Sequence, residues 1–515
     1  MLLSLLSFTP VFCQQTKDQI ILQIQNLIST GNLAGADQLL DQAVRQYPGD
    51  SGLLNLRGIV AVRKGDVDLA RNSFQEALRR SPKFTAAYLN LARLYQEDVK
   101  DARRTEEALS VYEHVLKYEP GNEEAQYQSV FLLMEQGDYR ESLEHLARLK
   151  LEARSTPQAL SVTVADLAGL HEQQPASQAA SRLASHPDLS VPDVQQALPA
   201  LANGKRYDLI VQLLEELKRR NSLPAEMLSS LGSAYAQTGK LKEARSTLEE
   251  AFASFPASAP LLIELAKVAY QERDYMGSLG YLAHAQILQP NDPGIAYSFG
   301  VVCLELELLG ESQKSFKKAV DLAPENASYN YAAGITTGLL RDPGEAVPYL
   351  EKYAELRPED PRGELAVGAT LFRAKDYDSA SSWLAKAAAH RETATKAHYY
   401  QGCIANEQGR TDDAIRDLQE ALSADPKYVD ALAELGRSYM LRKNYPQAEQ
   451  ELDHALAIDP NHYLANFVLL TVYTRSHSER REQQAKRFEE VQKLLTEKKD
   501  EYLRVIEIRP LDPTN

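Results

Sequence analysis

Apolar residues recur along this chain at three- and four-residue spacing, the pattern of helices with one buried face, and the pattern itself repeats every 34 residues. Self-alignment gives starts at Lys17, Ser51, Thr85, Glu123, Pro157, Val191, Ala225, Ala259, Pro293, Ala327, Pro361, Thr395 and Val429. Each unit predicts two helices. The unit from Thr85 carries four extra residues around Asp98 to Arg104, which predicts a longer loop between its helices.

Three positions in each unit say how its helices meet. The eighth is small: Gly58, Ala92, Gly232, Ala266, Gly300, Gly334, Gly368, Gly402 and Gly436. A small residue inside an apolar-periodic segment predicts close approach by another helix. At the twentieth position Ala36, Ala70, Ala108, Ala244, Ala346, Ala414 and Ala448 predict the other side of that crossing. One turn later Leu40, Phe74, Tyr112, Leu248, Phe316, Leu350, Leu384 and Leu452 supply bulk between the helices, and Pro48, Pro82, Pro256, Pro290, Pro324, Pro426 and Pro460 end the second helix.

These residues resemble the tetratricopeptide repeat, whose pattern W-x2-L-G-x2-Y, A-x3-F and P is matched by Leu432, Leu435, Gly436, Tyr439, Ala448, Leu452 and Pro460. The resemblance implies an all-α, right-handed α-solenoid of about thirteen 34-residue helix-turn-helix repeats. Two arrays are expected, 17–224 and 225–475, the first degenerate from 123 to 224. There the glycines are lost, Arg154, Asp188 and Ser222 occupy the proline position, and Pro199 falls inside a first helix, which predicts a hinge or a more tightly curved section. A further first helix is expected at Tyr463 to Tyr473, then a capping helix within 476–509 whose stripe is Phe488, Val491, Leu495, Tyr502 and Val505, and a disordered tail over 510–515.

Composition narrows the function classes. The chain is 44% hydrophobic and 25% charged, a soluble balance, and its formal net charge of -15 with scattered cations opposes a nucleic-acid partner. Residues 1–13 read as a signal peptide, its apolar Leu2 to Phe12 ending at Cys13-Gln14-Gln15, which would make the mature protein secreted or periplasmic; otherwise it is cytoplasmic. No later run reaches the roughly 20 apolar residues of a membrane span. Cys303 and Cys403 lie three repeats apart, too far for a disulfide.

No catalytic residue, metal site or cofactor is expected. Phosphate-loop, dinucleotide and nucleophile-elbow motifs are missing, and His171-Glu172 lacks its second histidine because residue 175 is Pro175. Lys314, Lys317 and Lys318, or Arg219 with Arg220, read as solvated outer faces.

The remaining candidate is the inner face of the first helices. Positions 2, 5, 9 and 12 share a face there, and give the candidate groove Ile263, Lys267, Tyr270, Tyr297, Val301, Tyr331, Leu365, Phe372, Tyr399 and Arg437. Tyr297, Tyr331 and Tyr399 recur at the fifth position, where they either grip an extended peptide or helix or tuck between first helices as core. The expectation is a non-enzymatic scaffold binding a protein or peptide segment in that groove. The alternative is a structural component of an envelope assembly or polysaccharide-export machine that uses its convex face or C-terminal cap. The sequence leaves oligomeric state open.

Overall fold

A computed structural model of the protein describes residues 16–98, 103–340 and 343–497, and among them every regular element is a helix. The expectations for residues 1–13 and 510–515, and for the side chains of Leu495, Tyr502 and Val505, lie outside the described residues.

The chain divides into two compact units, Met1–Ala251 and Phe252–Asn515, with the boundary inside helix Leu241–Ser254. In the first, helices pair as Lys17–Ser29 with Leu33–Gln46, Ser51–Lys64 with Val67–Arg80, Thr85–Glu97 with Arg104–Tyr118, Glu123–Gln136 with Tyr139–Leu146, Pro157–Gly169 with Gln173–Ala184, and Val191–Asn203 with Tyr207–Arg219. The repeat from Ala225 opens on a single 3-10 turn, Ala225–Met227, followed by Leu228–Gln237 and Leu241–Ser254. In the second unit the pairs are Ala259–Gln271 with Tyr275–Leu288, Pro293–Glu305 with Leu309–Leu322, Ala327–Leu339 with Pro343–Leu356, Arg362–Arg373 with Tyr377–Ala388, Arg391–Glu407 with Thr411–Ala424, and Val429–Leu441 with Tyr445–Ile458. Tyr463–Arg475 and Arg481–Glu497 follow. The architecture is an all-α helical repeat solenoid.

Most first helices begin where the period places them. Besides Leu228–Gln237, which follows its 3-10 turn, the departure is Arg391–Glu407, which starts four residues ahead of Thr395. Glu392 stands there in the place of the proline that closes other repeats, so nothing in the backbone stops the helix from extending backward to its cap at His390. Elsewhere an Asp or Asn side chain caps the start: Asp50 accepts from the amide of Leu53 at 3.1 Å, Asn122 from Ala125 at 2.9 Å and Asp292 from Ile295 at 2.9 Å.

Among the described residues the turn between paired helices uses one backbone conformation, at the fifteenth position of the repeat. Gly65, Gly137, Gly239 and Gly409 hold positive φ there, and so do His171, Lys205, Arg273, Glu307, Lys375 and Lys443, at φ between 55° and 63°. Glycine adopts this conformation without strain, whereas a side chain costs about 1 kcal/mol. Since His171 and Lys205 accept that cost, the register persists through the degenerate stretch.

Close crossing at the eighth position is real, with a partner sixteen residues on. A Cβ built at Gly300 would stand 2.7 Å from the Phe316 ring, and one at Gly436 would stand 2.6 Å from Leu452 Cγ. The twentieth residue supplies backbone instead, its carbonyl 3.3 Å from such a Cβ at Gly334, Gly402 and Gly436. Where serine replaces alanine at the twentieth position its hydroxyl is buried and donates to the eighth residue's carbonyl: Ser142 to Val130 at 3.0 Å, Ser278 to Ala266 and Ser312 to Gly300 at 2.8 Å. The helix pair thereby gains a direct cross-link. In the repeat from Pro157 the size pairing is inverted, with Val164 at the eighth position and Ala180 at the twenty-fourth, both fully buried.

In the degenerate stretch the second helix Tyr139–Leu146 is short and is followed by the one-turn helix Leu151–Arg154. One repeat later an arginine takes over from the missing proline. Arg220, expected on a solvated face, is instead half-buried and donates to the carbonyls of Ala184 at 2.9 Å, His186 at 2.9 Å and Pro187 at 3.1 Å, all at the end of the preceding second helix. Those carbonyls have no helical partner, and a guanidinium is the side chain that can serve several at once. Glu216 aims it, accepting from Nε at 2.6 Å. Replacing Arg220 by Met should cost about 1–3 kcal/mol, seen as faster amide exchange in the turn around His186 and a lower urea midpoint. An unchanged turn would show that water serves the carbonyls equally well.

At the C-terminal end Arg481–Glu497 packs on Tyr463–Arg475, burying Phe488 and Val491, and Gln484 Nε2 donates to the carbonyl and Oδ1 of Asn466 at 3.2 and 3.0 Å. The greasy stripe is thus turned inward over the described part of this helix.

Candidate functional site

The candidate residues all lie in the second unit, on successive first helices. Ile263, Tyr297, Tyr331, Leu365 and Tyr399 recur at the fifth position because the period brings that residue to the same helix face in each repeat, and all five are half-buried. Their inward edges pack on apolar clusters of their own and neighbouring repeats. Tyr297 lies 4.9 Å from Tyr329 and 5.4 Å from Phe316, between ring centres. Tyr331 lies 4.8 Å from Tyr353, and Tyr399 lies 5.1 Å from both Tyr400 and Tyr428. These are tilted contacts at ordinary aromatic distances, which lock the rings in one orientation.

The other positions vary along the face. Val301 and Phe372 are half-buried, and Phe372 meets Tyr400 at 5.6 Å and Tyr377 at 6.0 Å. Tyr270 donates its hydroxyl to Glu305 at 2.8 Å. Further along, Ile335 and Ala369 at the ninth position and Met440 at the twelfth are buried between helices. Towards the C-terminal end the first helices therefore close on one another at these positions. The candidate residues thus stand on successive first helices, half-buried except for exposed Lys267.

Three cations on or beside this face, Lys267, Arg362 and Arg437, are paired with carboxylates of the chain. Lys267 is exposed and pairs with Glu264 at 2.8 Å. Arg362, next to the ladder, binds Asp360 through Nε and Nη2, and that guanidinium together with the Tyr353 hydroxyl outweighs burial to hold the Asp360 carboxyl down at about 2. Arg437 donates to Glu407 at 2.6 Å and to both oxygens of Glu434 at 3.3 Å. Burial works against its charge, but the two carboxylates hold its pKa above the usual value.

Behind Arg437 sits a polar network that the spacing analysis missed. Glu434 is 6% exposed and Asn406 4%, and Asn406 Nδ2 donates to Glu434 Oε2 at 3.0 Å. The Ser438 hydroxyl, fully buried, lies 2.9 Å from both Asn406 Oδ1 and the Glu434 carbonyl. Burial raises the Glu434 carboxyl, with Arg437 opposing. The signal was a polar residue at positions ten and twelve, Ser438 and Asn406, where other repeats are mostly apolar. Nearby, burial pushes up both the Tyr399 hydroxyl and the Cys403 thiol, so both stay protonated and neither is primed as a nucleophile. Among the described residues no group of three His, Cys, Asp or Glu side chains is placed to hold a metal ion, and no helix is long and apolar enough to cross a membrane.

Comparison with known proteins bears on the family. Profiles described as "Tetratricopeptide repeat" match residues 22–83, 55–103, 100–163, 195–259 and 405–468, at both ends of the chain and inside the degenerate stretch. This chain belongs to the tetratricopeptide repeat family. Among curated proteins, this tetratricopeptide protein is similar to the cellulose synthase operon protein C of Escherichia coli, 39% identical over 61 residues that are 12% of this chain and 5% of that one. It is also similar to the ycf37 protein of Pyropia yezoensis, 32% identical over 82 residues, 16% of this chain and 44% of that one. The chain thus spans a small part of the first relative and less than half of the second. Among solved structures, it aligns with the APC/C hetero-tetramer Cut9-Hcn1 over 89% of this chain and 96% of that one, at 13% identity and a TM-score of 0.34. A tetratricopeptide repeat protein from Parabacteroides merdae aligns over 48% of this chain and 98% of its own, at 15% identity and a TM-score of 0.37.

Proposed function

We propose that this tetratricopeptide protein is a non-enzymatic interaction scaffold that holds a peptide or helical segment of a protein partner along the first-helix face of its second unit. The observation that carries this reading is the fifth-position ladder of Ile263, Tyr297, Tyr331, Leu365 and Tyr399, half-buried in register on five successive repeats. Side chains anchored by their inner edges have already lost rotamer freedom, so a partner laid across their outer edges would pay little to order them. Aromatic anchors of this type dominate binding energy at protein interfaces. With Lys267, Arg362 and Arg437 each paired to a carboxylate of this chain, the partner is read through apolar and aromatic contacts, not through its own carboxylates. A secreted or periplasmic setting goes with the signal-peptide reading of residues 1–13.

Site-directed photo-crosslinking separates this from the alternative, an envelope-assembly component contacting partners through its convex side or cap. A crosslinking side chain at exposed Lys267, or at Lys396, exposed at the second position of the repeat from Thr395, should trap the partner in the native host. One at Lys314 on a second helix, or Lys486 on the capping helix, should not. Trapping confined to Lys314 or Lys486 would transfer the contact surface to the alternative.

A further inference from the structure

The tenth residue of a repeat faces the core. Val60, Leu132, Val268, Val302, Ile404 and Val472 stand there, all buried, in different repeats. In the repeat from Pro157 the residue is Asp166. It is fully buried, and neither carboxylate oxygen has a hydrogen-bond partner. The one side chain that favours its ionised form is Ser142 on the short helix Tyr139–Leu146, but that hydroxyl is committed to the Val130 carbonyl, to which it donates at 3.0 Å. Burial accordingly raises the Asp166 carboxyl to about 7, with Ser142 alone opposing.

No cation is positioned to rescue the ionised form. The helices packed on Pro157–Gly169 are Glu123–Gln136, Tyr139–Leu146, Leu151–Arg154, Gln173–Ala184 and Val191–Asn203. Their charged residues Glu123, Glu135, Arg140, Glu141, Glu144, Glu152, Arg154 and Arg182 are at the surface, and half-buried Glu124 is taken by Arg93. Half-buried His145 is pushed toward its neutral form by burial and by Arg148, and the half-buried Tyr127 hydroxyl is pushed up to about 12 by burial. Asp193 is buried but accepts through Oδ2 from the amide and hydroxyl of Ser190. On the flanking helices Ser129 Oγ and Asp193 Oδ1 are likewise buried without partners.

We propose that the contact between Tyr139–Leu146 and Pro157–Gly169 is a pH-gated joint, closed while Asp166 keeps its proton and loosened when Asp166 releases that proton to solvent. The position supports it: this is where the second helix is cut short and the chain continues as a single helical turn, so fewer contacts hold the closed form. In the opened state the carboxylate is hydrated and returns to an ordinary carboxylate value. Because the closed-state value is raised, stability of the joint is complete below about pH 4 and is lost as pH climbs toward 7, then levels off.

Amide exchange of the full chain, corrected for intrinsic rates, reads the opening directly. In peptides covering 139–169 the wild-type opening frequency should rise about tenfold per unit between pH 5 and 7, while peptides covering 51–80 stay flat. Asp166→Asn and Asp166→Val, the latter the residue found at this position in other repeats, should both abolish the rise. A wild-type opening frequency that ignores pH would overturn the proposal, and so would a rise that survives in Asp166→Val. The Val variant decides the question even if the Asn variant does not fold.

Discussion

Replacing Gly300 by Leu is expected to unfold the helix pair around it. A single Cβ there already stands 2.7 Å from Phe316, a distance that real Cβ contacts do not reach, and leucine adds three more carbons. Phe316 is 1% exposed, so its ring can move only among the buried side chains around it. Overpacking of this kind costs about 1–3 kcal/mol where neighbours can shift and more where they cannot. The expected result is a loss at the top of that range, measured as a shift in the urea midpoint by circular dichroism. Gly310→Ala provides the contrast: that glycine lies inside Leu309–Leu322 with no atom near its missing Cβ, so the change should be neutral or stabilising. A Gly300→Leu protein as stable as wild type would mean that the crossing is looser than described.

The reverse change, Phe316→Ala, should be about as damaging for the opposite reason. Removing a fully buried phenylalanine costs about 3–5 kcal/mol in lost burial and the cavity left behind. It also removes the ring beneath Tyr297, so the first rung of the aromatic ladder should lose its fixed orientation. The two changes together should be milder than their sum. The protein already contains the exchanged arrangement in Val164 and Ala180. A double-mutant cycle that shows no coupling of at least about 1 kcal/mol between Gly300 and Phe316 would contradict the pairing.

Fold and register were legible in the sequence because both rest on local rules repeated many times. Gly58, Gly300 and Gly436 mark a steric demand, and most first helices began within a residue of the period, with exceptions at Leu228, which follows a 3-10 turn, and at Arg391, where a missing proline let the helix grow backward. The choice between side chain and backbone at the twentieth position was not legible, since the small size of Ala448 admits both; geometry shows it is the carbonyl that approaches. Ser142, Ser278 and Ser312 broke the alanine pattern, yet each keeps the crossing by bonding across it.

The candidate face was legible as a set of positions but not in its degree of burial. Whether Tyr331 shows an edge to water depends on how closely neighbouring first helices approach, and that is set by buried small residues such as Gly338 on its own helix and Ala369 in the next repeat. Arg220 was misread because its charge suggested water, whereas its partners are carbonyls 33–36 residues earlier in the chain. Asp166 was overlooked for a related cause: one acid in an apolar-periodic stretch is invisible to periodicity, and only its lack of partners makes it stand out.

The arginine that closes the end of helix Gln173–Ala184 belongs to the following repeat, and this matters while the chain is being made. As residues emerge from the ribosome, the carbonyls of Ala184 and Pro187 wait more than thirty residues for the guanidinium that will satisfy them, while that of His186 already accepts from the Leu189 amide at 3.2 Å. This repeat is finished by its successor, and a shortened protein that stops before Arg220 would carry a raw end one full repeat inside the cut.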